Sequence, residues 1–120
     1  MKILFVHADY LNYRARERTK FAEEVEEGRK VGNMTDLLIA FTCVERADEK
    51  SNGIAEEALT EIRDVANKVK AKNIALFPFA HLSSDLASPA IAVELLADLE
   101  NKLRENGYQV LRAPFGWYKV

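Results

Sequence analysis

Between Leu37 and Arg112 the sequence alternates three short apolar runs with two amphipathic helical stripes, and this alternation constrains the fold most. LLIAFTCV, from Leu37 to Val44, reads as a buried strand that can extend to Arg46. It ends in the turn-rich ADEKSNG, where Ser51, Asn52 and Gly53 can stop a strand and cap a helix. From Ile54 to Lys70, Ile54, Ala58, Ile62, Val65 and Val69 recur on one helical face, widened by Leu59 and Ala66. IALFPF (Ile74–Phe79) is the next strand, with Pro78 marking its end or an edge. A second helix is predicted from its N-cap Ser88 and first-turn Pro89. Ile91, Leu95, Leu96, Leu99 and Leu103 make its stripe, and Gly107 stops it ahead of a strand over Tyr108–Arg112. Strand–helix–strand units of this kind place helices on a sheet face through right-handed crossovers.

The flanks add less regular material. KILFVHA (Lys2–Ala8) reads as a buried strand in which His7 is expected to be a satisfied core histidine. Asp9 to Gly32 is polar without a clean period and is predicted to be a long connection. Its basic cluster, Arg14, Arg16, Arg18 and Lys20, precedes Glu23, Glu24, Glu26 and Glu27, which reads as a solvated loop or irregular helix with compensated charge. The turn Ala113-Pro114-Phe115-Gly116 leads into a last short strand, Trp117–Val120, expected to form a hairpin with Tyr108–Arg112. The prediction is a single α/β domain, a mixed sheet with helices packed on it.

With 120 residues there is room for one domain with one core. The single cysteine, Cys43, excludes an intrachain disulfide and a multi-Cys zinc site, and its apolar setting predicts a small buried hydrophobe. No leader and no membrane-length apolar run is visible, so the expectation is a soluble, cytoplasmic chain without membrane contact. Seventeen Lys and Arg against nineteen Asp and Glu give a net charge of −2, so any contact with nucleic acid is expected to be local.

No phosphate-binding glycine loop, zinc-binding HExxH or GxSxG elbow is present. Chemistry is expected at two places. In FPFAHLSS (Phe77–Ser84), His81 follows a proline-punctuated strand end and precedes serines able to cap a short helix through Leu86. A strand end beside a helix N-terminus offers free N–H groups for a carbonyl or anion, and a histidine there can orient a substrate or merely bond the turn. In APFGWYK (Ala113–Lys119), an extended chain puts Trp117 and Lys119 on one face and Tyr118 on the other. Lys119 can hold an anion or, if desolvated, activate a hydroxyl; as an edge-strand lysine it can equally resist aggregation.

Together with LFVHADY and LLIAFTCVERADEK, these two motifs resemble, in order and over nearly the whole chain, the N-terminal editing domain of archaeal-type threonyl-tRNA synthetase, with its D-aminoacyl-tRNA deacylase-like fold. The resemblance implies a proofreading hydrolase that removes L-serine from mischarged threonine tRNA, because a site sized for threonine cannot strongly reject an amino acid one methyl smaller. It implies that the terminal 2′-hydroxyl of the tRNA helps activate or position water. Lys119 resembles the lysine near the ester and ribose, Tyr118 its neighbour, and His81 the histidine shaping the catalytic pocket. Val44, Ala80 and Phe115 match positions whose main chain lines that pocket, with Pro78 beside it. Because Tyr118 and Lys119 cannot both point inward from a regular strand, a bulge or a backbone role for one is expected.

The resemblance further implies the 3′ end of aminoacylated threonine tRNA and the rest of the synthetase as partners, and a homodimer. It implies no metal or other cofactor for editing, since ATP and zinc belong to the synthetase body. Family members continue past the tyrosine–lysine pair with a strand and an acidic residue for the substrate amine. Here the sequence ends at Val120, so the expectation is a shortened chain, an amine contact from Glu45 or Asp9, or weakened serine affinity. Two other functions fit the same residues: a D-aminoacyl-tRNA deacylase, and a noncatalytic module that binds the tRNA end or dimerises.

Overall fold

The computed structural model describes residues 1–120. Five strands, β1 (Lys2–Arg18), β2 (Val31–Cys43), β3 (Asn73–Pro78), β4 (Gln109–Arg112) and β5 (Trp117–Lys119), form one sheet in the order β4-β3-β2-β1-β5. Helix α1 (Ile54–Val69) joins β2 to its parallel neighbour β3, and α2 (Pro89–Glu105) joins β3 to parallel β4. β1 runs antiparallel to both β2 and β5. The mixed α/β sheet expected from the alternation is therefore present.

Both helices pack on one sheet face. Leu38 and Ala40 of β2, Ile74 and Leu76 of β3 and Val110 of β4 meet Ala58, Leu59, Ile62 and Ala66 of α1 and Leu99 and Leu103 of α2. Each fully buried Leu or Ile contributes roughly 1.5–3 kcal/mol relative to its exposed state. The α2 N-terminus is built as its sequence indicates: Ser88 Oγ accepts the Ile91 N–H at 3.4 Å and Pro89 opens the first turn. At α1 the capping residue is Gly53, without a side-chain cap.

Four expectations are corrected. Asp9–Gly32 is not one long connection: β1 continues to Arg18 and β2 begins at Val31, so the basic cluster lies largely on a strand. Tyr13 and Ala15 are buried while Asn12, Arg14 and Arg16 are exposed, a period of two obscured by the charge density. β4 and β5 do not form a hairpin; they occupy opposite edges, because β5 pairs with Ala15–Arg18 of β1. His7 is exposed rather than a core histidine. The segment after His81 is not a helix through Leu86 but a single 3-10 turn, Ala80–Leu82, so no helix N-terminus stands there.

The second sheet face carries the site. Its floor is Leu37, Ile39 and Ala75, joined by Ala8, Leu11, Phe41 and Phe77. Ala8 and Leu11 share this face although their separation is odd, so the alternation of β1 changes phase between them. The pair Asp9–Asp36 is missing from the ladder at that point, and Asp36 has φ 47°. Beyond it the hairpin closes over the floor, with the Tyr13 ring edge-on to Phe77 at 5.7 Å. Gly32, opposite Tyr13, has no room for a Cβ because the phenol ring fills that space.

Candidate functional site

β5 positions Lys119. Trp117 anchors the strand: its indole N–H donates to the Glu23 carbonyl at 2.9 Å, and the Arg18 guanidinium and Lys30 ammonium lie 5.4 and 5.1 Å from its ring. Lys119 is half-buried and turns inward, whereas Tyr118 is 64% exposed on the other side. β5 itself alternates regularly, so it has no bulge that turns Tyr118 and Lys119 to the same side; the register shift lies on the partner strand β1, between Ala15 and Glu17.

The Lys119 Nζ donates to the carbonyls of Pro114 at 2.8 Å and Trp117 at 3.0 Å, and stands 5.0 Å from the Phe77 ring centroid. An ammonium has three N–H donors, so two are committed to the chain. Burial pulls the Lys119 pKa down to about 8, with the Glu23 carboxylate acting in the opposite direction. At neutral pH the group is therefore mostly protonated but poised to titrate.

Phe77 connects this end of the site to His81. Phe41 lies 5.3 Å from Phe77 and 5.7 Å from Phe79, and Phe79 lies 5.2 Å from the His81 ring. Lys119 and His81 thus stand at two ends of one aromatic row, Phe77–Phe41–Phe79. His81 is exposed, in the 3-10 turn directly after β3. Phe41 and Phe77 were not singled out in the sequence; their signal is the pairing of β2 with β3, which sets them directly opposite each other.

The remaining candidates divide. Pro78 ends β3 opposite Thr42, and the next N–H, of Phe79, donates to the Thr42 carbonyl at 2.8 Å. Ala80 is exposed, and its carbonyl accepts from the Cys43 thiol at 3.8 Å. Cys43 is buried, and burial is the main cause pushing its pKa up, which makes it unreactive. Val44 packs with Ala87, Ala92 and Leu96 beneath α2, and its carbonyl accepts the Ala87 N–H at 3.0 Å. Both main-chain polar groups of Phe115 are engaged by Glu23.

Glu45 begins the 3-10 turn Arg46–Lys50, accepts the Ser83 hydroxyl at 2.8 Å and lies 3.7 Å from the Met1 amino group. It adjoins the His81 turn through Ser83, with its carboxylate already engaged. Asp9 is exposed at the phase change of β1. The structure thus sets Lys119 and His81 at the two ends of the aromatic row, with Pro78 and Ala80 in the chain segment between Phe77 and His81, and leaves Tyr118 on the other side of β5. Nowhere do three or more His, Cys, Asp or Glu side chains converge as for a metal ion.

Two hollows lie elsewhere. One of about 510 Å³ sits between α1 and the start of β1, lined by Met1, Ile3, Phe5 and Ile54. The other, about 180 Å³, lies among Tyr13, Arg29, Glu100, Arg104 and Arg112. Neither includes Lys119 or His81.

An apolar aromatic floor ending in a partly desolvated lysine suits a ligand with an apolar and an anionic part. The family model for the archaea-specific editing domain of threonyl-tRNA synthetase matches residues 1–120. The chain belongs to that family. It is 52% identical over 121 aligned positions to the threonine–tRNA ligases of Methanocaldococcus jannaschii and Methanopyrus kandleri, and 51% identical to that of Methanococcoides burtonii. Each alignment takes in the whole chain but only 19% of the relative, so the chain spans about a fifth of the length of these ligases. As a member of this editing-domain family, the chain has a role in tRNA editing. No helix of the structure is long and apolar enough to cross a membrane.

Proposed function

We propose that this domain hydrolyses the ester linking L-serine to threonine tRNA. The observation that carries the reading is the Lys119 ammonium, fixed by two carbonyls at the end of an aromatic floor, in a chain of the editing-domain family. Water adds to the ester carbonyl carbon, the bond to the ribose O3′ breaks, and that oxygen leaves with the electron pair and takes up a proton. The products are serine and a tRNA with a free 3′-hydroxyl. The terminal 2′-hydroxyl positions the attacking water. The third N–H of Lys119 donates to an oxygen of the ester or ribose, where negative charge develops in the transition state.

The aromatic row supplies surface for the terminal adenine, since ring stacking holds a base without demanding a deep cavity. His81 closes the far end of the pocket near the serine. The main chain around Pro78 and Ala80 meets the aminoacyl group, and the serine ammonium shares the Glu45 carboxylate with the Ser83 hydroxyl and the Met1 amino group. Discrimination against threonine comes from one methyl group, worth about 1–3 kcal/mol in a close-fitting pocket. The partners in this reading are the tRNA 3′ end, the rest of a cytoplasmic synthetase and a second copy of the chain. Editing needs no cofactor in this reading, and the fold is of the D-aminoacyl-tRNA deacylase type.

The test is a set of parallel deacylation reactions on threonine tRNA carrying L-serine, L-threonine or a D-amino acid. Preferential release of L-serine supports the proposal. Preferential release of the D-amino acid assigns the chain as a D-aminoacyl deacylase, and binding without release makes it a noncatalytic module.

A further inference from the structure

The turn between β4 and β5 presents Pro114 O and Trp117 O to Lys119, and its own sequence does not fix that arrangement. Gly116 takes φ +78°, open to many conformations, and its Cα faces the Phe21–Ala22 backbone so closely that a Cβ would sit 2.5 Å from the Phe21 carbonyl oxygen. The turn is held from outside, by residues 19–23. The Thr19 N–H and hydroxyl donate to the Gly116 carbonyl at 2.9 and 2.7 Å. The remaining bonds from this segment to the turn all belong to Glu23.

Glu23 grips the turn at three points. Its N–H donates to the Phe115 carbonyl at 3.0 Å, its carboxylate accepts the Phe115 N–H at 2.8 Å, and its carbonyl accepts the Trp117 indole N–H at 2.9 Å. These bonds fix the residues immediately following Pro114 and Trp117 itself, the two sources of the Lys119 acceptors. The carboxylate is only 11% exposed and is itself anchored: Arg112 donates to it at 3.3 Å and Arg29 stands at 3.6 Å. Arg112 in turn donates to Glu100 of α2 at 2.8 Å, and Arg104 holds the other Glu100 oxygen at 2.9 Å. A chain of charge-assisted bonds thus runs from the helix layer to the turn.

We propose that Glu23 is a positioning residue for Lys119, clamping the Pro114–Trp117 turn so that its carbonyls meet the ammonium. The inference rests on the reading of Lys119 as the ammonium of the editing site. The titratable and charged groups around this turn and Phe77 are Glu23 itself, Arg29 at the hairpin tip, Arg112 of β4 with Glu100 of α2 behind it, Tyr13 of β1, and Arg18 and Lys30 over the Trp117 ring. Burial disfavours the charged form of Lys119, and the Glu23 carboxylate acts against that effect.

The experiment follows the Lys119 Nζ by NMR pH titration in protein carrying labelled lysine side chains, assigned by its loss in Lys119→Met, and measures L-seryl-tRNA hydrolysis in the same samples. Glu23→Gln keeps an oxygen for the Phe115 N–H and removes the charge. Its Lys119 midpoint is expected about half a pH unit or more below the parent, with kcat at pH 6.5 within about threefold of parental. Glu23→Ala also releases the turn, and is expected to lower kcat about tenfold or more with KM for the tRNA little changed. An unmoved Lys119 midpoint together with a parental kcat in folded Glu23→Ala overturns the proposal. A lowered midpoint in a protein that hydrolyses no seryl-tRNA leaves the Glu23–Lys119 relation intact and refutes the editing reading instead.

Discussion

The Nζ of Lys119 lies 5.0 Å from the centroid of the Phe77 ring and faces the aromatic floor rather than bulk water. A ring face attracts a cation by about 0.5–2 kcal/mol, less than the hydration an ammonium gives up on burial. That imbalance is the cause of a Lys119 pKa near 8, and it makes the lysine a group whose burial costs stability for the sake of position.

The first consequence is a pH-dependent stability. Below about pH 8 folded and unfolded chains both hold the Lys119 proton; between there and the ordinary lysine value only the unfolded chain does. Unfolding then takes up a proton, so this group's contribution to stability rises with pH across that window. Urea unfolding of the parent and Lys119→Met between pH 7 and 10 is expected to show the variant as stable or more stable at pH 7, with the gap moving in the parent's favour as pH rises.

The same titration sets the rate profile. Because Lys119 is read as an N–H donor to an oxygen gaining negative charge, loss of its proton removes a transition-state contact. The enzyme-dependent rate of seryl-tRNA hydrolysis, corrected for spontaneous ester loss, is expected to level off and then decline as pH rises through about 8. A rate that climbs through this midpoint would instead make the neutral amine the working form.

Tyr118 is 64% exposed and on the opposite side of β5 from Lys119. Its hydroxyl faces away from the Lys119 ammonium, so Tyr118→Phe is expected to retain single-turnover hydrolysis within about threefold, a surface change of about 0.5 kcal/mol or less. A hundredfold loss would mean that β5 turns over when substrate binds.

Gly116→Ala puts a Cβ 2.5 Å from the Phe21 carbonyl at a φ of +78°, a strained position for any L side chain. A cost of about 1–3 kcal/mol is expected in urea unfolding, from strain and from displacement of the 19–23 segment. Hydrolysis should fall more than stability implies, because the acceptors of Lys119 move with the turn.

The central layer of the fold was legible because parallel strands and their crossover helices carry strong apolar periodicity: the stripes of α1 and α2 and the strand ended by Pro78 stand where their spacing puts them. The distal hairpin was not. Its inward residues include the small Ala15 and the lone aromatic Tyr13, set among arginines, and strand pairing with β5 overrides their weak local signal. The two ends of the site, Lys119 and His81, stood out as motifs. The aromatic floor between them depends on which strands are neighbours, which no local pattern encodes. Glu23 was invisible for another reason: in sequence it is one of four clustered glutamates, and only the folded turn distinguishes it.

The role of the Lys119 ammonium is tested most directly by single-turnover hydrolysis of L-seryl-tRNA specific for threonine, with protein in excess, comparing the parent chain with Lys119→Met. Removal of the ammonium with the aromatic floor left in place is expected to slow ester release by about a hundredfold or more, equivalent to about 2.7 kcal/mol of transition-state stabilisation. Equal rates in the two proteins, whether both fast or both no faster than spontaneous loss, would contradict it.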